Sequence, residues 1–162
     1  MIRTGRCRNC EALVHLNSAM IAVCPICSEE LEIEIDLTKE ESAELSVLIV
    51  DDDPAIRRVA AEILDFHGYW VVASASNGPD TVIQGQRHQP RFVLLDFLMP
   101  AINGEETARL LRRVSPDSII VAFSAILVEP PSWADGFLRK TDIAGVDSLL
   151  KELAKERATT RT

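Results

Sequence analysis

Three short runs constrain this chain more than anything else in it. Val47-Leu48-Ile49-Val50, Phe92-Val93-Leu94-Leu95 and Ile119-Ile120-Val121-Ala122-Phe123 are apolar without alternation. A strand with one wet face alternates apolar and polar residues. A strand without alternation has both faces covered, as in a parallel sheet flanked by helices. Tyr69 to Ser74 reads as a further strand, and Gly136-Phe137-Leu138-Arg139 as a short fifth one.

Helical spacing fills the gaps. Asp53 is a good N-cap and Pro54 a good first helical residue. Ile56, Val59, Ala60, Ile63 and Leu64 then recur on one helical face, and Gly68 can close the helix. Asn77-Gly78-Pro79-Asp80 turns into a helix through about Gln86, and Gly104 opens one through about Val114. Val146, Leu149, Leu150 and Leu153 mark a last amphipathic helix. Strands alternating with helices predict an α/β fold with a doubly wound, five-stranded parallel sheet. Only eleven residues separate Ser124 from Gly136, and they include Pro130-Pro131. A parallel crossover with a full helix needs about a dozen residues or more. The fourth helix is therefore expected to be shortened or missing.

In such a sheet, ligands bind outside the carboxyl ends of the strands. Four strands here end at Asp51/Asp52, Asp96, Ser124 and Lys140. Each alone has an ordinary reading as turn chemistry, a satisfied hydroxyl or a surface charge. Together they place three carboxylates, a hydroxyl and an ammonium at one edge. Clustered carboxylates repel one another unless a cation sits among them. Oxygen ligands with open positions suit Mg²⁺, which meets substrate phosphate. A lysine and a hydroxyl bind the remaining phosphoryl oxygens. One carboxylate then serves as nucleophile and forms an acyl phosphate.

The N-terminal part is built differently. Cys7 and Cys10 form one Cys-x-x-Cys pair, and Cys24 and Cys27 form another, thirteen residues apart. Two such turns supply four thiolates for tetrahedral Zn²⁺. A segment this small cannot bury a sufficient core without a metal or disulfides. Disulfides suit secreted proteins, and no signal-like apolar stretch follows Arg3, Arg6 and Arg8. Leu31 to Leu37 alternates strictly and reads as a strand with an acidic outer face. These features resemble a zinc ribbon.

The formal charge of −8 is local. Residues 1–28 carry +2, residues 29–45 carry −7, and the remainder carries −3. Acidity argues against general nucleic-acid binding. Only the basic corner at Arg3, Arg6 and Arg8 leaves that role open. No apolar run reaches the length of a membrane span, and a cytoplasmic location is expected. The boundaries read as a zinc-ribbon-like module over 1–37, an acidic linker over 38–45, a larger domain over 46–157 and a tail over 158–162.

The run from Val47 through Asp51-Asp52-Asp53-Pro54, the segment Leu94-Leu95-Asp96-Phe97-Leu98-Met99-Pro100 with Gly104, the Ser124-Ala125 pair and Gly136 to Lys140 resemble a response-regulator receiver domain, CheY-like and flavodoxin-like in fold. The resemblance implies that Asp96 is the phosphoacceptor. It implies that Asp52, Asp96 and the backbone carbonyl of Leu98 bind Mg²⁺ directly, with Asp51 acting through water. Ser124 would hydrogen-bond the phosphoryl group and Lys140 would pair with it. Ser124 and Phe137 would be the switch residues. A sensor histidine kinase or phosphotransfer protein would be the donor, and an unknown output protein the receiver of the signal. No output domain is expected after the last helix, and the chain is expected to act as a switch rather than an enzyme. Leu98 and Ile126 would flank the path of the hydrolytic water. Neither side chain can orient water by hydrogen bonding, so slow self-dephosphorylation is expected.

The sequence departs from the family in one further respect: Thr141 follows Lys140 where proline is usual. Two other functions compete. A haloacid-dehalogenase-like phosphatase also uses a strand-end Asp-x-Asp, here Asp51 and Asp53, but leaves the Asp96 motif without a role. An unphosphorylated receiver scaffold with a nucleic-acid-binding ribbon is the other.

Overall fold

The computed structural model describes residues 3–7, 13–16, 31–32, 43–100, 102–127 and 129–160. In the N-terminal part, β1 (Arg3–Cys7), β2 (Leu13–Leu16) and β3 (Leu31–Glu32) form an antiparallel sheet of order β2-β1-β3. The hairpin joins β1 to β2, with Arg3 opposite Leu16 and Arg6 opposite Leu13. Sequence reading had no signal for β1, because Arg-Thr-Gly-Arg-Cys carries no apolar alternation. Leu31 and Glu32 open the alternating segment as a strand, and Cys7 registers with Leu31. Cys10, Cys24 and Cys27, the strand read through Leu37, most of the linker and the last two tail residues lie outside the described residues.

The larger part runs β4 (Ser46–Val50), α1 (Pro54–Phe66), β5 (Trp70–Ala75), α2 (Gly78–His88), β6 (Phe92–Asp96), α3 (Gly104–Val114), β7 (Ile119–Ser124), β8 (Gly136–Arg139), a 3₁₀ helix (Lys140–Gly145) and α4 (Val146–Thr160). The sheet order is β5-β4-β6-β7-β8, and every pair is parallel. This is the flavodoxin-like architecture with four helices.

The lack of alternation has the expected cause. Val47 and Ile49 of β4 join one apolar cluster with Ala60 and Leu64 of α1 and Val146, Leu150 and Leu153 of α4. Leu48 and Val50 join the opposite cluster with Ala108 and Leu111 of α3. Both faces of the strand are covered, and its residues are fully buried. Helix starts follow local chemistry. Asp53, Asn77 and Asn103 each cap a helix by accepting from a backbone N–H two or three residues on. After α1 the chain reverses at Gly68, whose φ of 87° suits glycine.

No helix lies between β7 and β8 among the described residues. The last helix continues to Thr160, three residues past the boundary read from the sequence. None of the helices is long and apolar enough to cross a membrane, among the described residues.

Candidate phosphoacceptor site

Three strand ends and one helical turn build the site. Asp51 follows β4 and extends its ladder, donating its N–H to the Ala75 carbonyl at 3.1 Å. Asp51 is fully buried, Asp96 nearly so, and Asp52 is exposed. One carboxylate oxygen from each of Asp51, Asp52 and Asp96 lies within 4.8 Å of the others.

Lys140 crosses into this cluster from the end of β8. Its Nζ lies 2.7 Å from Asp51 Oδ2 and 2.9 Å from Asp96 Oδ2. It also stands 5.8 Å from the centroid of the Phe123 ring. The proline usual after this lysine is not needed for the ammonium to reach both acids. Lys140 opens the 3₁₀ helix, and all described peptide bonds are trans.

The two carboxylates are tied differently. Asp96 Oδ1 accepts from Leu98 N at 3.2 Å, and its Oδ2 accepts from Lys140. Asp51 Oδ1 accepts from Asp53 N at 3.0 Å. Asp51 Oδ2 has the lysine close by as an ion pair, yet no donor is aimed at it well enough for a hydrogen bond. A buried carboxylate oxygen in that state is a ready cation ligand. The donor set of three carboxylates and no sulfur or imidazole fits Mg²⁺.

Electrostatics follow from burial. Desolvation raises the Asp96 carboxyl above the usual carboxylate range; Lys140 opposes this, and Asp51 adds to it. Burial pulls the Lys140 ammonium down, but the two carboxylates outweigh it and leave it raised.

Ser124 ends β7 and is buried. Its Oγ accepts from Ile126 N at 3.3 Å and Leu127 N at 3.5 Å, the first amides of the β7–β8 connection. Phe137 is half-buried on β8, in register with Ala122. Leu98 and Ile126 are 54% and 57% exposed, large values for apolar side chains. Asp53, the second acid of the phosphatase-like pattern, is an exposed helix cap bound to Ala55 N.

Three further residues contribute. Gly104 starts α3 against the end of β6. A Cβ there would come within 2.6 Å of the Asp96 carbonyl oxygen and 2.9 Å of Phe97 Cα. Only glycine permits that approach; the sequence marked it as a helix start and as part of the motif after β6, without this steric reason. Arg57 turns back from α1 onto the carbonyls of Asp51 and Asp52. Trp133, in the β7–β8 connection, stacks on Phe97 beside Asp96, with ring centroids 6.4 Å apart and planes 12° apart. No local pattern announces either long-range contact.

Comparison with known proteins identifies relatives of the larger part. The family model described as "Response regulator receiver domain" matches residues 47–160. The response regulator GacA of Pseudomonas protegens is 31% identical over 116 residues, covering 67% of this chain and 54% of that protein. The chemotaxis protein CheY of Thermotoga maritima is 32% identical over 80 residues, 49% of this chain and 67% of that protein. The chain thus spans about half the length of the first of these relatives. Among solved structures, the signal receiver domain of NarL from Mycobacterium tuberculosis superposes with a TM-score of 0.55 at 27% identity. That match covers 64% of this chain and 92% of that one.

Proposed function

The chain belongs to the response regulator receiver domain family, and from that premise we propose that it is a two-component phosphorylation switch with Asp96 as its acceptor. The observation that carries this reading is Lys140 bridging Asp51 and Asp96, with Asp52 within ligand reach of both. An oxygen of Asp96 attacks the phosphorus of a phosphohistidine donor. The P–N bond breaks, an acyl phosphate forms, and the imidazole leaves with a proton. Asp51, Asp52, Asp96 and the Leu98 carbonyl would hold Mg²⁺, which neutralises phosphoryl charge when bound. Lys140 stays beside the new phosphoryl oxygens, and Ser124 turns its hydroxyl toward them.

The donor is a sensor histidine kinase or phosphotransfer protein. The output is a partner that reads the β7–β8 connection, whose first amides are held by the same Ser124 hydroxyl. Phe137 shares in that readout. The test is intact mass after acetyl phosphate and Mg²⁺. Wild type should gain one phosphoryl group and Asp96→Asn none; labelling of both or of neither would refute it.

The phosphorylated form should be long-lived. Leu98 and Ile126, two positions after Asp96 and Ser124, are exposed and offer water no hydrogen bond. A lifetime of seconds, followed by mass spectrometry after donor removal, would contradict this.

The N-terminal module carries a structural Zn²⁺ on Cys7, Cys10, Cys24 and Cys27. Support comes from the register: Cys7 ends β1, three residues before Cys10, and its partner Leu31 stands four residues after Cys27. One equivalent of zinc by elemental analysis, lost in Cys24→Ser, is the expected result.

A further inference from the structure

Arg57 lies on α1, five positions past Asp52, and the proposed phosphoryl chemistry does not use it. Its Nη1 donates to the Asp51 carbonyl at 2.6 Å and to the Asp52 carbonyl at 3.2 Å. The second contact continues further. The peptide joining Asp52 to Asp53 has its oxygen held by Arg57, while its N–H donates to Asp51 Oδ1 at 3.0 Å. A donor on the oxygen polarises the peptide and strengthens the bond its N–H makes. The chain of contacts runs from guanidinium to peptide to carboxylate. It occupies Asp51 Oδ1 and turns Oδ2 to the centre of the site, where no aligned hydrogen bond claims it.

We infer that Arg57 is a positioning residue for the cation site, fixing the Asp51 carboxylate through the Asp52–Asp53 peptide. This rests on reading the acidic cluster as a Mg²⁺ site. Two effects of the guanidinium have opposite signs. As a charge it repels a dication, so removing it should tighten Mg²⁺ binding. As a positioner it orders the ligands, so removing it should weaken binding. Groups that orient metal ligands typically control affinity by 10–100-fold, and the guanidinium sits on carbonyls rather than on the ligand oxygens. Positioning should therefore win.

The test is calorimetric titration of the full chain with MgCl₂, together with melting in EDTA to show that each variant is folded at the titration temperature. Arg57→Ala should weaken Mg²⁺ binding by about tenfold. Arg57→Lys, which keeps a donor within reach of a carbonyl, should recover part of that loss. Where Arg57→Ala does not fold, Arg57→Met keeps the aliphatic stem and should show the same weakening. An alanine or methionine variant that binds Mg²⁺ as tightly as wild type, or more tightly, overturns the inference alone. A wild-type chain that binds no Mg²⁺ overturns the site reading and the inference with it.

Discussion

Two kinds of crossover hold this sheet, and they are stabilised in different ways. The connections out of β4, β5 and β6 each carry a helix whose first turn is capped by Asp53, Asn77 or Asn103. Their stability is spread over many backbone bonds and apolar contacts. The connection from β7 to β8 has no helix among its described residues and depends on a few side chains. Asp135 Oδ2 accepts from Ile120 N at 2.7 Å and from Arg112 at 2.9 Å, with Arg157 at 3.6 Å. Arg112 also reaches the Trp133 carbonyl, and the Trp133 ring covers Phe97. Where a helix is absent, one carboxylate and one aromatic ring do its packing. A crossover built this way concentrates its stability in single residues, and one of those residues touches Phe97, next to Asp96.

The sharpest way to break the comparison is at Lys140, which the side-chain-held strand delivers to the site. Removing its ammonium leaves the carboxylates of Asp51 and Asp96 buried together without a counter-charge. Losing one partner of a buried ion pair costs about 3–5 kcal/mol. Lys140→Met should therefore melt far below wild type in EDTA, and Mg²⁺ should restore much of the loss. A small change in EDTA would mean that the acids are already neutral. The raised ammonium adds a pH dependence. Its folded pKa lies above the ordinary lysine value of about 10.4. Its contribution is complete below that value and disappears as pH rises through the folded pKa.

A matched pair of substitutions compares the crossovers directly. Trp133→Ala removes a half-buried ring that packs on the sheet and on Phe97. A fully buried tryptophan would cost about 3–5 kcal/mol, so partial burial suggests about 2 kcal/mol. Asn103→Ala removes the cap of α3, worth about 1 kcal/mol. Urea melts should rank the tryptophan variant as the weaker of the two. The reverse order would show that the helix-free crossover is not held by its ring.

The same contrast explains what could be read in the sequence. The helix-bearing half is local chemistry. Asp53-Pro54, Asn77-Gly78-Pro79 and the unalternated runs each state their structure within a few residues, and the strand-end acids mark the cluster that the fold brings together. The short gap between Ser124 and Gly136 predicts a shortened or missing helix, but not what holds the connection in its place. Asp135 and Trp133 act on residues far away in the chain, on Ile120, Arg112 and Phe97. Arg57 reads as an ordinary helix-surface charge, since nothing in its neighbours says that it turns back. In the N-terminal part, alternation announced the strand opening at Leu31, whereas the polar β1 was silent. Polar residues that act at long range leave no period in the sequence.

The smallest effect tests the electrostatics of Asp96 itself. Burial raises the Asp96 carboxyl above the ordinary value of about 3.9. A carboxyl with a raised folded pKa favours the folded state only while protonated. That contribution is present below the ordinary value and is lost as pH rises through the folded one. At neutral pH the ionised Asp96 is thus a net cost, even with Lys140 alongside. Asp96→Asn keeps the shape and removes the charge, while Lys140 retains Asp51. In EDTA at pH 7 it should be more stable than wild type. The gap should narrow toward acid, where wild type also becomes neutral. Mg²⁺ should narrow it too, because the cation gains a ligand only in wild type. An asparagine variant that melts lower, or a gap that ignores both pH and Mg²⁺, would place the balance of the site with the lysine pair rather than with burial.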